Sequence, residues 1–140
     1  MSHPSIIARS AEKANLWLEE LAAELGTDDR KEAYEVLRGF LHALRDRLTV
    51  EESAQLAAQL PELIRGIYYE GWQPARTPER YGDVDTFLER LEREAPAIRG
   101  ETEASYAAAA AATVLRRHIS AGEIEDVLAV LPDGVRAIFA

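Results

Sequence analysis

Cysteine is absent from this 140-residue chain. That excludes disulfides, thiol nucleophiles and thiolate metal sites, and it suits a reducing compartment. Positive charge is scarce: 16 Lys and Arg stand against 25 Asp and Glu, a formal net charge of −9. Such a field repels phosphate backbones and anionic lipid, so neither nucleic acid nor a membrane surface is an expected partner. No apolar run approaches the ~20 residues that cross a bilayer. Met1-Ser2-His3-Pro4 lacks the basic stretch followed by an apolar one that marks a secretion signal. No glycine-rich phosphate loop occurs. The three histidines show no HxxxH or ExxH spacing to place a second metal ligand on the same helical face. Neither a metal nor a cofactor is expected. The length favours one domain, 1–140, and a cytoplasmic location is the expectation.

What the chain does contain is a copy of itself. At an offset of 71, Leu44-Arg45-Asp46-Arg47-Leu48-Thr49 falls on Leu115-Arg116-Arg117-His118-Ile119-Ser120. Leu60-Pro61-Glu62-Leu63-Ile64-Arg65 falls on Leu131-Pro132-Asp133-Gly134-Val135-Arg136 in the same register. Residues 42–68 align without a gap, and Glu52/Glu123, Ala58/Ala129 and Ile67/Ile138 are among the identical pairs. Phe87-Leu88-Glu89-Arg90-Leu91 repeats Trp17-Leu18-Glu19-Glu20-Leu21 at an offset of 70. Internal self-similarity of this kind fixes architecture better than a single motif does.

The periodicity is helical throughout. Helices are predicted over 8–25, stopped by Gly26, and from Thr27-Asp28-Asp29 to about 47, with Tyr34, Leu37, Phe40, Leu41 and Leu44 on one face. Thr49-Val50-Glu51-Glu52 reads as a capping box, repeated as Ser120-Ala121-Gly122-Glu123. Leu60 ends a third helix before Pro61, which suits the first turn of a fourth over 61–70. Residues 71–82 have no periodic pattern and read as a linker. The second copy follows over 83–95, 101–118, 121–130 and 132–139. The fold expected is all-α: a compact bundle of about eight helices, built from two tandem four-helix repeats (about 8–70 and 83–139) with pseudo-two-fold symmetry. Where the first copy has Leu37, Phe40 and Leu41, the second has Ala108, Ala111 and Ala112. Small side chains permit close approach, so the sixth helix is expected to be the most central.

The run His42-Ala43-Leu44-Arg45-Asp46-Arg47-Leu48, then Gln59-Leu60-Pro61 and Gly66-Ile67-Tyr68-Tyr69-Glu70-Gly71-Trp72, resembles the bacterial domain-of-unknown-function family 2267. So does Ile119-Ser120-Ala121-Gly122-Glu123-Ile124-Glu125-Asp126-Val127 with Leu131-Pro132. The resemblance covers nearly the whole chain. It implies an all-helical bundle and brings no catalytic residues with it.

Residue by residue, chemistry is thinly represented. His42 reads as a satisfied core or boundary histidine, and His118 as a helix-end cation. The acid clusters Asp28/Asp29, Glu51/Glu52, Asp83/Asp85 and Glu123/Glu125/Asp126 sit at helix starts, where the macrodipole favours them. Ser120 is spent as a cap, so no nucleophile stands out. The leading candidate is the aromatic segment that runs from the fourth helix into the linker. Tyr69, Glu70 and Trp72, with Arg65 and Arg76 nearby, form a candidate binding site; the alternative is that Tyr68 and Trp72 plug the joint between copies. The duplicated Arg45/Arg116 and Arg65/Arg136 read as packing or helix-end pairs. A non-catalytic protein-interaction or regulatory module that meets a protein partner or self-associates is expected. A carrier of a small apolar or anionic ligand between the repeats comes second, and an enzyme third.

Overall fold

The computed structural model describes residues 4–140, so His3 lies outside the described residues. Eight α-helices are formed there: α1 (Pro4–Leu25), α2 (Arg30–Asp46), α3 (Val50–Ala57), α4 (Glu62–Tyr69), α5 (Val84–Glu94), α6 (Gly100–His118), α7 (Ala121–Ala129) and α8 (Asp133–Ala137). A single 3-10 turn, Pro74–Arg76, interrupts the linker.

Helix ends follow local chemistry. Gly26 takes φ +74° after α1, and the amides of Gly26 and Thr27 return to the carbonyls of Ala23 (3.2 Å) and Ala22 (3.0 Å). This is the paired closure that a glycine in the left-handed region permits. Of the polar residues before α2, Asp29 is the cap: its carboxylate accepts from the amides of Lys31 (2.9 Å) and Glu32 (3.3 Å). Pro61 and Pro132 stand one position before α4 and α8 as caps rather than inside the first turn.

The two capping boxes close only by half. Thr49 Oγ1 accepts from the Glu52 amide (3.1 Å) and Ser120 Oγ from the Glu123 amide (3.2 Å). Neither glutamate returns the bond. The Ser120 amide donates to Gln59 Oε1 instead (2.8 Å), so a side chain from the end of α3 has replaced Glu123 there.

One continuous core runs through the molecule. α2 packs against α1, α4, α5 and α6; α6 packs against α1, α2 and α5; α3 meets α7, and α5 meets α8. The expectation that the sixth helix is most central is corrected: α2 holds that place, burying Ala33, Val36, Leu37, Gly39, Phe40, Leu41, His42, Ala43, Leu44 and Arg45. The reason is Gly39. A Cβ there would stand 3.1 Å from the Leu91 carbonyl oxygen and 3.3 Å from Glu94 Cβ, so the backbones of α2 and α5 meet where a side chain is missing. The alanines of α6 play their predicted part, with Ala108, Ala111 and Ala112 all buried. Tyr34 departs from its expected face and is exposed, because the buried arc of α2 is centred on Ala33, Leu37, Phe40 and Leu44 and leaves Tyr34 at its edge.

The same bonds recur at the offset of 71. Arg65 donates from Nε and Nη2 to the carbonyls of Ala57 and Leu60 (both 2.9 Å). Arg136 donates from the same atoms to Leu128 (3.0 Å) and Leu131 (2.9 Å). Arg45 donates to the Tyr68 carbonyl (2.9 Å), and Arg116 to that of Phe139 (2.7 Å). These guanidiniums satisfy carbonyls left open at helix ends.

Candidate functional site

The aromatic segment begins inside the core and ends outside it. Tyr68 is fully buried and donates its hydroxyl to the Ser53 carbonyl (3.2 Å). Burial pushes its phenol well above the usual tyrosine range, outweighing the Ser53 bond. Tyr69, half-buried, lies between Tyr68 (5.3 Å between centroids) and Trp72 (5.1 Å). Gly71, at φ +74°, turns the chain so that Trp72 folds back on Tyr69. Trp72 is half-buried, and its Nε1 is enclosed without a partner.

The charged members of the predicted site are distributed around this stack and do not converge on it. The Glu70 carboxylate accepts from Arg38 Nε (2.7 Å) and Nη2 (2.6 Å). The Arg65 guanidinium is spent on the end of α3. Arg76 stands exposed on the 3-10 turn, at a hollow of about 160 Å³ lined also by Arg45, Asp46, Gly71, Gln73, Thr77 and Glu79. Thus Tyr69 and Trp72 come together, Glu70 joins Arg38, and Arg65 and Arg76 look elsewhere.

Two polar hubs flank the segment. In the first, His42 Nε2 reaches the Ile67 carbonyl (2.7 Å) and Nδ1 reaches Glu94 Oε2 (2.9 Å). Both partners are acceptors, so the ring serves both only when it carries two protons. Arg38 Nη1 donates to the same Glu94 (2.5 Å). Burial pushes the Glu94 carboxyl up. The hydrogen bond and charge of His42, with the charges of Arg38 and Arg45, overcome this and hold it below the usual carboxylate range. The hub joins α2, α4 and α5.

The second hub fastens the linker. The Tyr81 ring lies between the guanidiniums of Arg47 (5.4 Å) and Arg90 (5.0 Å). The Glu79 amide donates to the Asp46 carbonyl (2.7 Å), Arg47 donates to the Glu79 carbonyl (2.9 Å), and Arg90 pairs with the carboxylates of Glu79 and Asp46. The Arg90 bonds, opposed by burial, hold the Glu79 carboxyl low.

Glu94, Arg38, Glu79 and Arg90 were not candidates in the sequence, since their partners lie 11 to 56 residues away. One further pair had a signal. Glu52 and Glu123 are identical at the sequence offset of 71, and each has a carboxylate oxygen enclosed without a partner.

Chemically, these hubs are closed ion-pair networks whose acceptors are taken by donors of the same chain. Among the described residues, no group of three or more His, Asp or Glu gathers as a metal would need. No helix of the described residues is long and apolar enough to cross a membrane. A hollow of about 540 Å³ is lined by the consecutive residues Ala75–Arg80 and so lies along the surface of the linker.

Over residues 14–138 the chain matches the family described as "Uncharacterized conserved protein (DUF2267)", and it belongs to that family. No curated protein matches it.

Proposed function

We propose that this member of the DUF2267 family is a non-catalytic interaction module that self-associates through the N-terminal half of α1. The observation that carries this reading is the helix itself. From Ser5 to Leu16 no residue is buried, and burial begins at Trp17. Ile6 and Ile7 are 65% and 73% exposed. Ala14 alone of this stretch packs against the core; a helical stretch with so little support is marginal in water, and large apolar side chains on it favour a covering surface.

A second copy is the occupant that the sequence of α1 fits. Ile7, Ala11, Ala14, Leu18, Leu21 and Leu25 recur at alternating spacings of four and three, the pattern of a helix–helix seam. Ala14, Leu18, Leu21 and Leu25 spend that seam on the core, while Ile7 carries it beyond the bundle. The charges are unevenly divided: Arg9 and Lys13 lie with Glu12 in the first half, and Glu19, Glu20 and Glu24 lie in the second, where they also meet Arg30, Arg117 and His118 of the same chain. Antiparallel pairing of two such helices sets Arg9 and Lys13 of each copy beside the acidic half of the other. Residues 4–13 precede the span matched to the family.

The bundle beneath is read as two tandem four-helix repeats around one core. The recurrence of the Arg65 and Arg136 clamps at the same spacing supports this reading. The aromatic stack of Tyr69 and Trp72 is assigned to the joint between them.

Analytical ultracentrifugation of the full chain at low and high salt tests the self-association. The expected result is a dimer that weakens with salt and becomes a monomer when Ile6 and Ile7 are both changed to Glu, with the helical signal retained. A monomeric parent at about 100 µM, or a dimer indifferent to Ile6→Glu/Ile7→Glu, would overturn it.

A further inference from the structure

At the end of α2 a buried arginine keeps one donor free. Arg45 Nε donates to Asp46 Oδ1 (2.9 Å), and Nη1 donates to the carbonyls of Tyr68 (2.9 Å) and Glu70 (2.8 Å). Nη2 has no protein partner among the described residues, and it is not one of the atoms enclosed without a partner. It therefore reaches solvent. Arg45 is only 5% exposed, and it lines the hollow of about 160 Å³ between the end of α2 and the linker. The free nitrogen opens there.

The linker supplies the other walls. Gln73 brings a side-chain amide and Arg76 a guanidinium, both exposed. Arg76 forms no ion pair among the described residues. Gly71 contributes no side chain to fill the space. Two carboxylates also line the hollow, but both are taken. Asp46 accepts from Arg45 through Oδ1 and from Arg90 through Oδ2 (3.3 Å), and both oxygens of Glu79 accept from Arg90. Arg47 joins this group through the Glu79 carbonyl and the Tyr81 ring. Four guanidiniums, of Arg45, Arg47, Arg76 and Arg90, thus stand against two carboxylates. The Glu70 carboxylate is paired with Arg38 and does not offset them. A chain of net charge −9 carries a local surplus of two positive charges here.

We propose that this hollow binds a phosphate group, with Arg45 Nη2 at its floor, the Gln73 amide on its wall and Arg76 at its mouth. A phosphate dianion matches both the surplus of charge and donors that converge from different elements. A carboxylate offers one charge and two oxygens. Guanidiniums suit phosphate oxygens in geometry as well as charge. Arg45 is already held by its bonds to α2 and α4, so binding orders no further side chain at the floor. The hollow is smaller than the ~300 Å³ at which sites for drug-sized ligands begin, which suits a small oxyanion or the phosphate end of a larger molecule. The site does not depend on the pairing of α1.

Proton–nitrogen NMR of the full chain reads the site. Inorganic phosphate replaces chloride at constant ionic strength and slightly alkaline pH, while the arginine Nε–H, glutamine amide and backbone signals are followed. The expected result is saturable shifts confined to Arg45, Gly71, Gln73, Arg76 and Thr77, at millimolar or lower concentration. Arg76→Gln should weaken binding roughly tenfold, as the loss of one charged hydrogen-bonding partner does. Arg80→Gln, exposed on the same linker but outside this hollow, should leave it unchanged. Tighter binding of inorganic phosphate than of glycerol phosphate marks a free oxyanion as the ligand; the reverse order marks a phosphate carried on a larger molecule. Shifts that do not saturate would overturn the proposal. So would an Arg80→Gln loss equal to that of Arg76→Gln, or equal binding of acetate.

Discussion

Replacing Glu94 by Gln isolates the hub that joins α2, α4 and α5. Glutamine preserves size but supplies one neutral oxygen where Arg38 and His42 now share an anion. The three side chains are 24%, 32% and 8% exposed, so solvent screens the pairing only in part. Hydrogen bonds to charged groups contribute about 1.5–3 kcal/mol each. The amide retains some bonding, and Arg38 keeps Glu70 as a partner. A net loss of about 2 kcal/mol follows, a fall in Tm of roughly 6–10 °C for a chain of this length. The pH dependence adds a stricter test. Glu94 is held below the usual carboxylate range in the folded protein, so between its folded and unfolded values the folded state binds fewer protons. Its contribution is full above the unfolded value, about 4.3, and disappears as pH falls through the folded value. Thermal melts of parent and variant at pH 7, 5, 4 and 3.5 should therefore differ most at pH 7 and converge in acid. A gap that stays constant down to pH 3.5 would refute the electrostatic origin; no gap at pH 7 would refute the hub.

Two further substitutions probe the packing. Ala111→Leu on the buried face of α6 should destabilise by about 1–3 kcal/mol through overpacking, seen in chemical denaturation as a lower midpoint with an unchanged slope. Arg45→Lys should cost about 2–4 kcal/mol: the buried guanidinium serves the carbonyls of Tyr68 and Glu70 and the Asp46 carboxylate, and an ammonium cannot span that fork. A Tm within 2 °C of the parent would show that the fork is dispensable.

The duplicated arginines show how far sequence reasoning reaches. Arg45/Arg116 and Arg65/Arg136 were read as packing or helix-end residues, and each clamps carbonyls at nearby helix ends. That was legible because the carbonyl partners are 5 to 25 residues away and the pattern occurs twice. Asp29 and Gly26 were legible because caps and stops act within a turn; the prolines were legible as helix boundaries, one position off. The candidate site was legible only in part. Its aromatics stack as neighbours in sequence can, but the engagement of Glu70 by Arg38 and of His42 by Glu94 depends on where α5 lies against α2.

By itself, then, the sequence determined the helices, most of their ends and the family, because periodicity, capping and backbone restriction are local. Tertiary structure alone decided which helix is central, through the missing side chain of Gly39 at the α2–α5 approach. It alone turned Glu52 and Glu123 from capping partners into enclosed, unpartnered carboxylates. Local rules say what a side chain is able to bond. Only the packing of distant helices says which of those bonds is already taken.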